Sequence, residues 1–252
     1  MPFQVIPAVD VAGGRLVRTS ATGDEPIAAF GGDPRSAARA FVAAGARWLH
    51  VVDVERARSG VAANLDVLRA LAGEGVRVQA SGGISGRAQV EEALEAGAVR
   101  VVLGSAALAD RSGTAELVER FGSALVVGIE AEGDVLRPRG PTPLELSLSD
   151  VLVWLRELPV ERFLFTRVGR VGNLSGPDLR GALGLARATG RPVIVAGGIR
   201  GAGDVRRLAA QEAGIEGVVV GRALYEGVDL GTLLAAAAEA DRRPPAPAGG
   251  AA

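Results

Sequence analysis

Two carboxylates stand at corresponding places in this chain. Asp10 ends the apolar run Ile6-Pro7-Ala8-Val9, and Glu130 ends Leu125-Val126-Val127-Gly128-Ile129, 120 residues further on. Facing one another across a cavity, such a pair can divide acid–base work, one group taking a proton and the other giving one, with burial separating their pKa values. Thr166, at the end of Phe163-Leu164-Phe165, adds a hydroxyl able to hydrogen-bond a reacting oxygen.

Two glycine turns accompany the carboxylates, and each occurs twice. The first copy pairs Ser81-Gly82-Gly83-Ile84 with Leu103-Gly104-Ser105-Ala106, and the second pairs Ala196-Gly197-Gly198-Ile199 with Val220-Gly221-Arg222-Ala223. Gly82 and Gly104 are 22 residues apart, Gly197 and Gly221 are 24 apart, and the copies are offset by 115 (82 to 197) and 117 (104 to 221). Each turn follows an apolar run and opens a helical pattern, so it offers free backbone N–H groups at a helix N-terminus, the chemistry of a phosphate cradle. Glycines also close tight strand–helix connections without binding anything. Four turns in matched order favour the cradle, with Ser81, Ser105 and Arg222 adding hydroxyl and guanidinium donors. Two cradles imply a small molecule with a phosphate at each end.

The missing residue types narrow the chemistry. All 28 basic residues are arginine, cysteine is absent, and His50 is the single histidine. Schiff-base catalysis by a lysine, pyridoxal phosphate attachment and thiol chemistry are therefore excluded, as is a zinc site of several His or Cys ligands. What remains for acid–base work is Asp, Glu, Tyr225 or His50, and of metal sites only carboxylate-rich ones of the magnesium kind stay open. A formal charge of -1 gives no general attraction for nucleic acid or an anionic membrane. With no spanning-length apolar run and no basic-then-apolar N-terminus, a cytoplasmic protein is expected, as a monomer.

Stepping from the reactive groups to what must carry them, short apolar runs alternate with helical patterns throughout. Strands are predicted at 3–9, 48–54, 76–80, 99–103, 124–130, 162–166, 192–196 and 217–220. Helices are predicted at 34–44, 64–72, 85–96, 112–121, 149–158, 177–188, 203–213 and 230–240, with Ser85 and Ser112 as N-caps. Eight strand–helix units in about 240 residues fit a single (β/α)8 barrel, a TIM barrel in the α/β class, and a doubly wound open sheet is the alternative. The half-chain offset of the glycine turns reads as two (βα)4 half-barrel repeats, about 1–121 and 122–241, followed by a flexible tail at 242–252. Catalytic groups of such barrels sit at the C-terminal ends of strands, which would set Asp10 opposite Glu130.

Each candidate also has a plainer reading. Asp10 would serve as a helix cap or a partner for Arg18, and Glu130 as a partner for Arg137 or Arg139. Thr166 would cap a helix, and His50 would be structural, with strand alternation sending Asp53 to the opposite face. Arg137-Pro138-Arg139-Gly140 is either a solvated loop or an anion clamp at the barrel rim.

In combination these segments resemble the phosphoribosyl isomerases of histidine biosynthesis and their bifunctional relatives that also serve tryptophan biosynthesis. The resemblance spans about Val5 to Leu234. It rests on Ile6-Pro7-Ala8-Val9-Asp10, Gly14-Arg15-Leu16-Val17-Arg18, Leu49-His50-Val51-Val52-Asp53, both glycine pairs, Asn173-Leu174-Ser175-Gly176-Pro177 and Gly221-Arg222-Ala223-Leu224-Tyr225-Glu226-Gly227. It implies a duplicated half-barrel that converts a bisphosphorylated aminoaldose to an aminoketose without metal or cofactor. Asp10 would take the proton from the ribose C2 position, and an acid opposite would protonate the ring oxygen. Arg18, Arg139 and Gly176 match substrate-binding positions. One-phosphate anthranilate isomerisation, alone or alongside, and a catalytically weakened sugar-phosphate binder are the alternatives. The chain departs from the family in carrying Glu130 for an aspartate, Arg167 and Val171 for two more, and Pro141 for a tryptophan that would stack on the substrate's aromatic base.

Overall fold

The computed structural model describes residues 2–20, 23–138, 146–211 and 214–241. Arg139, Gly140, Pro141 and the tail at 242–252 lie outside them. Eight parallel strands form the centre: β1 Gln4–Ala12, β2 Trp48–Asp53, β3 Arg77–Ser81, β4 Arg100–Leu103, β5 Leu125–Glu132, β6 Phe163–Arg167, β7 Val193–Ala196 and β8 Ile215–Val220. Each pairs with the next in sequence, and β8 returns to β1 through the register Gln4↔Gly217 to Pro7↔Val220. That last pairing closes a barrel and leaves no parallel edge strand. The open-sheet alternative falls with it.

Eight helices wrap the strands: α1 Pro34–Ala43, α2 Leu65–Ala72, α3 Arg87–Glu95, α4 Arg111–Phe121, α5 Leu148–Leu155, α6 Leu179–Thr189, α7 Ala202–Ala209 and α8 Leu230–Asp241. The expected caps shift by a residue or two. Gly86 caps α3, with Gln89 Oε1 accepting from the Ser85 and Gly86 N–H groups, while Asp110 caps α4 by accepting from Gly113 N–H and the Ser112 hydroxyl. A carboxylate just upstream outcompetes the serine as acceptor. Two antiparallel strands, Arg15–Ser20 and Gly23–Pro26, and short helices at Val54–Ser59 and Arg222–Tyr225 have no counterpart in the sequence reading.

Strand alternation divides the core. Val5, Val9, Val101, Val127 and Val195 point outward into the layer shared with the helices, whereas Ile6, Ala8, Trp48, Val102, Val126, Leu164, Ile194 and Val219 fill the barrel interior. Such strands are apolar on both faces because both faces are covered. At the N-terminal end, Trp48 lies between the guanidiniums of Arg77 and Arg100, 4.5 and 4.0 Å from the ring centre. Burial first, then the neighbouring Arg162, pulls Arg100 down to about 10. The opposite end is therefore the open one.

At that open end, Asp53 organises the connection after β2. Its carboxylate caps Val54–Ser59 through Arg56 N–H and also accepts from Ala63 N–H, Asn64 N–H and the Asn64 side-chain amide, all at 2.9–3.0 Å. Asn64 and Glu55 then accept from the Gly14 and Gly13 N–H groups, which fixes the turn leading into Arg15–Ser20. Burial of Asp53 works against its charge, but the donated hydrogen bonds prevail and hold the carboxyl below its usual range. A carboxyl depressed on folding stabilises the protein above its unfolded pKa, about 3.9, and loses that contribution as pH falls through the folded value. Asp53→Asn is expected to cost about 1–2 kcal/mol at pH 7 and less at pH 3. Urea unfolding of both proteins at the two pH values measures this, and an equal gap at both would refute it.

Candidate active site

The inward register of the strands continues upward into a cavity of about 520 Å³ at their C-terminal ends. On β1 the inward series is Ile6, Ala8, Asp10; on β5 it is Val126, Gly128, Glu130; on β6 it is Leu164, Thr166. One pleat beyond the apolar interior, each series ends in a polar group that lines the cavity. Asp10 and Glu130 thus arrive from strands four places apart in a ring of eight, on opposite walls. Thr166 stands beside Glu130, its partner in the β5–β6 register.

Both glycine pairs border this cavity. Gly82 and Gly83 have φ of +106° and +64°, Gly197 and Gly198 of +90° and +79°, a left-handed region that side chains disfavour. Close approach adds a second constraint. A Cβ on Gly83 would stand 2.3 Å from the Arg56 carbonyl oxygen, and one on Gly198 would stand 2.3 Å from the Gly176 carbonyl oxygen. Each turn therefore rests on the loop from the preceding unit. Gly104 and Gly221 complete the two sides, and Ser81 lines the cavity next to Gly82.

Arg18 and Arg222 occupy the rim beside the second pair. Arg222 Nε donates to Glu226 Oε1 at 2.6 Å and Nη1 to the Gly172 carbonyl at 2.5 Å; Arg18 Nη1 donates to the same Glu226 oxygen at 3.2 Å, and its Nη2 pairs with Glu25. One carboxylate thus gathers two guanidiniums at the cavity mouth. Tyr225, next to it, donates its hydroxyl to the Ala8 carbonyl at 2.8 Å and packs edge-on against Phe30 and Phe41. Burial first, and then the Asp10 charge, pushes the Tyr225 phenol well above its ordinary range, so it remains neutral. Its aromatic contacts hold the segment at residues 27–29 against the cavity.

Two expected ligands sit elsewhere. Ser105 is fully buried, does not line the cavity, and donates its hydroxyl to Glu130 Oε2 at 2.9 Å. Gly176 lies behind the second pair, its N–H donating to the Gly198 carbonyl at 2.8 Å. Arg139 falls outside the described residues. Glu130 meets Arg137 through backbone, as acceptor from the Arg137 N–H. His50 lines the cavity, with Gln79 Nε2 3.0 Å from its Nδ1, while Asp53 faces away as the alternation requires.

Arg56, Glu132 and Asp178 escaped the sequence reading. Arg56 is buried beside the first glycine pair, with Nη2 donating to Glu92 at 3.1 Å and Nε buried without a partner. Arg167, where the resemblance places an aspartate, pairs instead with Glu132 at 2.7 Å and Asp178 at 3.3 Å. Glu132 also accepts from Gly169 N–H, and that bond, followed by Arg167, holds its carboxyl below the usual range. Those contacts tie down the loop that brings Val171, Gly172 and Leu174 to the cavity wall. Nothing beside Arg167 in the sequence signals these pairs: its nearest charged neighbour along the chain is Arg170, and the nearest acids are Glu161 and Asp178. Among the described residues no three His, Cys, Asp or Glu side chains gather as a metal would require.

Fold and site together define a (β/α)8-barrel protein with paired carboxylates between two doubled glycine turns. The histidine biosynthesis protein family matches residues 4–229, and the chain belongs to that family. It is 39% identical over 237 residues to the 1-(5-phosphoribosyl)-5-((5-phosphoribosylamino)methylideneamino)imidazole-4-carboxamide isomerase of Roseiflexus sp. (strain RS-1), covering 93% of this chain and 99% of the relative. The isomerase of the same name from Moorella thermoacetica is 39% identical over 241 residues, covering 94% and 99%. That from Arthrobacter sp. (strain FB24) is 37% identical over 227 residues, covering 89% and 91%.

The glycine geometry makes a graded prediction. Gly60 shares a positive φ of +77° but has open space around it, so Gly60→Ala should cost about 1 kcal/mol. Gly198→Ala meets the Gly176 carbonyl as well and should cost about 2–4 kcal/mol. Thermal or urea unfolding ranks the two, and equal costs would contradict the close approach.

Proposed function

We propose that this chain isomerises a bisphosphorylated phosphoribosyl aminoaldose to the aminoketose, the imidazole carboxamide ribotide step of histidine biosynthesis. One observation carries the reading: Asp10 and Glu130 enter one cavity from opposite walls, between two glycine pairs that lie on the other two sides. The relatives' names specify two phosphoribosyl groups, one for each pair. Backbone N–H groups at Gly82–Gly83 with Gly104, and at Gly197–Gly198 with Gly221, would hold the phosphates. Arg18 and Arg222 supply charge at the second, with Ser81 as a further contact and Arg139 included on its resemblance to a family position.

Glu130 gives a proton to the ring oxygen as the C1–O bond breaks, and the exocyclic nitrogen lone pair forms the C=N bond of a protonated Schiff base. Asp10 then removes the C2 proton, whose bonding electrons form the C1=C2 enolamine. Proton return at C1 and loss of the enol proton from O2 give the ketose, with no atom gained or lost. Thr166 is placed to hydrogen-bond the oxygen that Glu130 serves. These steps move only protons and the substrate's own electron pairs.

The two halves, about 1–121 and 122–241, repeat the strand-end carboxylate and both turns at similar offsets of 120, 115 and 117 residues, which supports a duplicated half-barrel. A cytoplasmic monomer is part of the same proposal, and light scattering would test the oligomeric state. Among the described residues no helix is long and apolar enough to cross a membrane.

Asp10→Asn and Glu130→Gln should each lower kcat by about 10²–10⁴-fold while KM changes by less than about threefold. Steady-state turnover of the bisphosphate substrate is the measurement, and wild-type kcat in Asp10→Asn would sink the reading. Val171 lines the cavity where the resemblance expects an aspartate, and that favours a second reading, substrate binding with weakened turnover. A low micromolar dissociation constant without turnover would select it, and turnover of phosphoribosylanthranilate would add the one-phosphate reaction.

A further inference from the structure

We propose that Ser105 is the positioning residue of the acid arm and not a phosphate ligand; this rests on the reading of Glu130 as the acid. Ser105 follows the cavity-lining Gly104 at the end of β4, in the segment whose sequence pattern suggests a phosphate contact. Its side chain nevertheless has no exposure, and its hydroxyl points to Glu130 Oε2 at 2.9 Å. The neighbourhood explains why a prop is required there. Glu130 has one more rotatable bond than an aspartate, and the inward position below it on β5 is Gly128. A Cβ on Gly128 would stand 2.8 Å from the Leu103 carbonyl oxygen, so no side chain can grow there to support the longer carboxylate from beneath.

Support comes instead from the sides. Thr166 flanks Glu130 in the β6 register, and Ser105 reaches it from beyond the end of β4. A serine hydroxyl both donates and accepts, so it can stay bonded to Glu130 as carboxylate and as carboxylic acid by rotating its hydrogen. The carboxyl therefore keeps its place through loss and regain of the proton. Gly104 is tied in turn, its N–H donating to the Ile84 carbonyl at 2.7 Å, which fixes the turn from which Ser105 projects.

Kinetics of Ser105→Ala, Ser105→Thr and Glu130→Gln with the bisphosphate substrate test this, alongside binding of inorganic phosphate. Ser105→Ala should lower kcat by about 10–100-fold with KM and phosphate affinity unchanged within about twofold. Ser105→Thr, which keeps the hydroxyl, should restore most of kcat. Raised KM and weakened phosphate binding with kcat intact would overturn the proposal in favour of a phosphate ligand, and so would a kcat unmoved in Ser105→Ala. Should Ser105→Ala not fold, Ser105→Cys keeps the volume, weakens the donor and carries the same comparison. Full activity in Glu130→Gln would instead defeat the acid reading itself, whatever Ser105→Ala shows.

Discussion

Pairing between β8 and β1 is the constraint on which everything else depends. Once those strands join, every strand has an inside and an outside, and the twofold alternation of side chains assigns each residue to one of them. The interior layer from Ile6 to Val219 is then set, and the next inward residue on β1, β5 and β6 must face the cavity. Asp10, Glu130 and Thr166 are not placed by loops of their own. They inherit their positions from the register of a packed core, which is far stiffer than any surface connection.

All eight barrel strands were legible in the sequence because buried parallel strands are apolar on both faces and stand out as short continuous runs. The glycine turns were legible for a related reason: a left-handed backbone against a neighbouring carbonyl tolerates no side chain, so residue type alone records the geometry. What the sequence hid were partners distant along the chain. Ser105 beside a glycine pair suggested a phosphate donor, and only the packing of β4 against β5 brings its hydroxyl to Glu130. Arg18 and Glu226, 208 residues apart, meet through the closure of the barrel. The antiparallel strands Arg15–Ser20 and Gly23–Pro26 are mostly polar, with Leu16 and Val17 their buried apolar residues, too short a run to mark a strand pair.

Arg167 illustrates how one substitution spreads. A guanidinium in place of a carboxylate would repel the neighbouring Arg170 and leave the loop untied, but Glu132 and Asp178 close on it from β5 and from the cap of α6. Glu132 also takes the Gly169 N–H, so the loop remains docked with Val171 turned to the cavity. Val171, Leu164 and Leu174 make that part of the wall apolar, and in the proposed reaction proton transfer would fall to the groups arriving on strands.

The glycine pairs also fix a length. Because they sit after β3 and β4 on one side and after β7 and β8 on the other, the distance between them is the diameter of an eight-stranded ring, and no loop motion can adjust it without breaking strand pairing. The barrel acts as a caliper. With the glycine pairs as the proposed phosphate holders, molecules would be sorted by the span between their two charged ends, and a change in the chemistry at the centre would leave that gauge untouched.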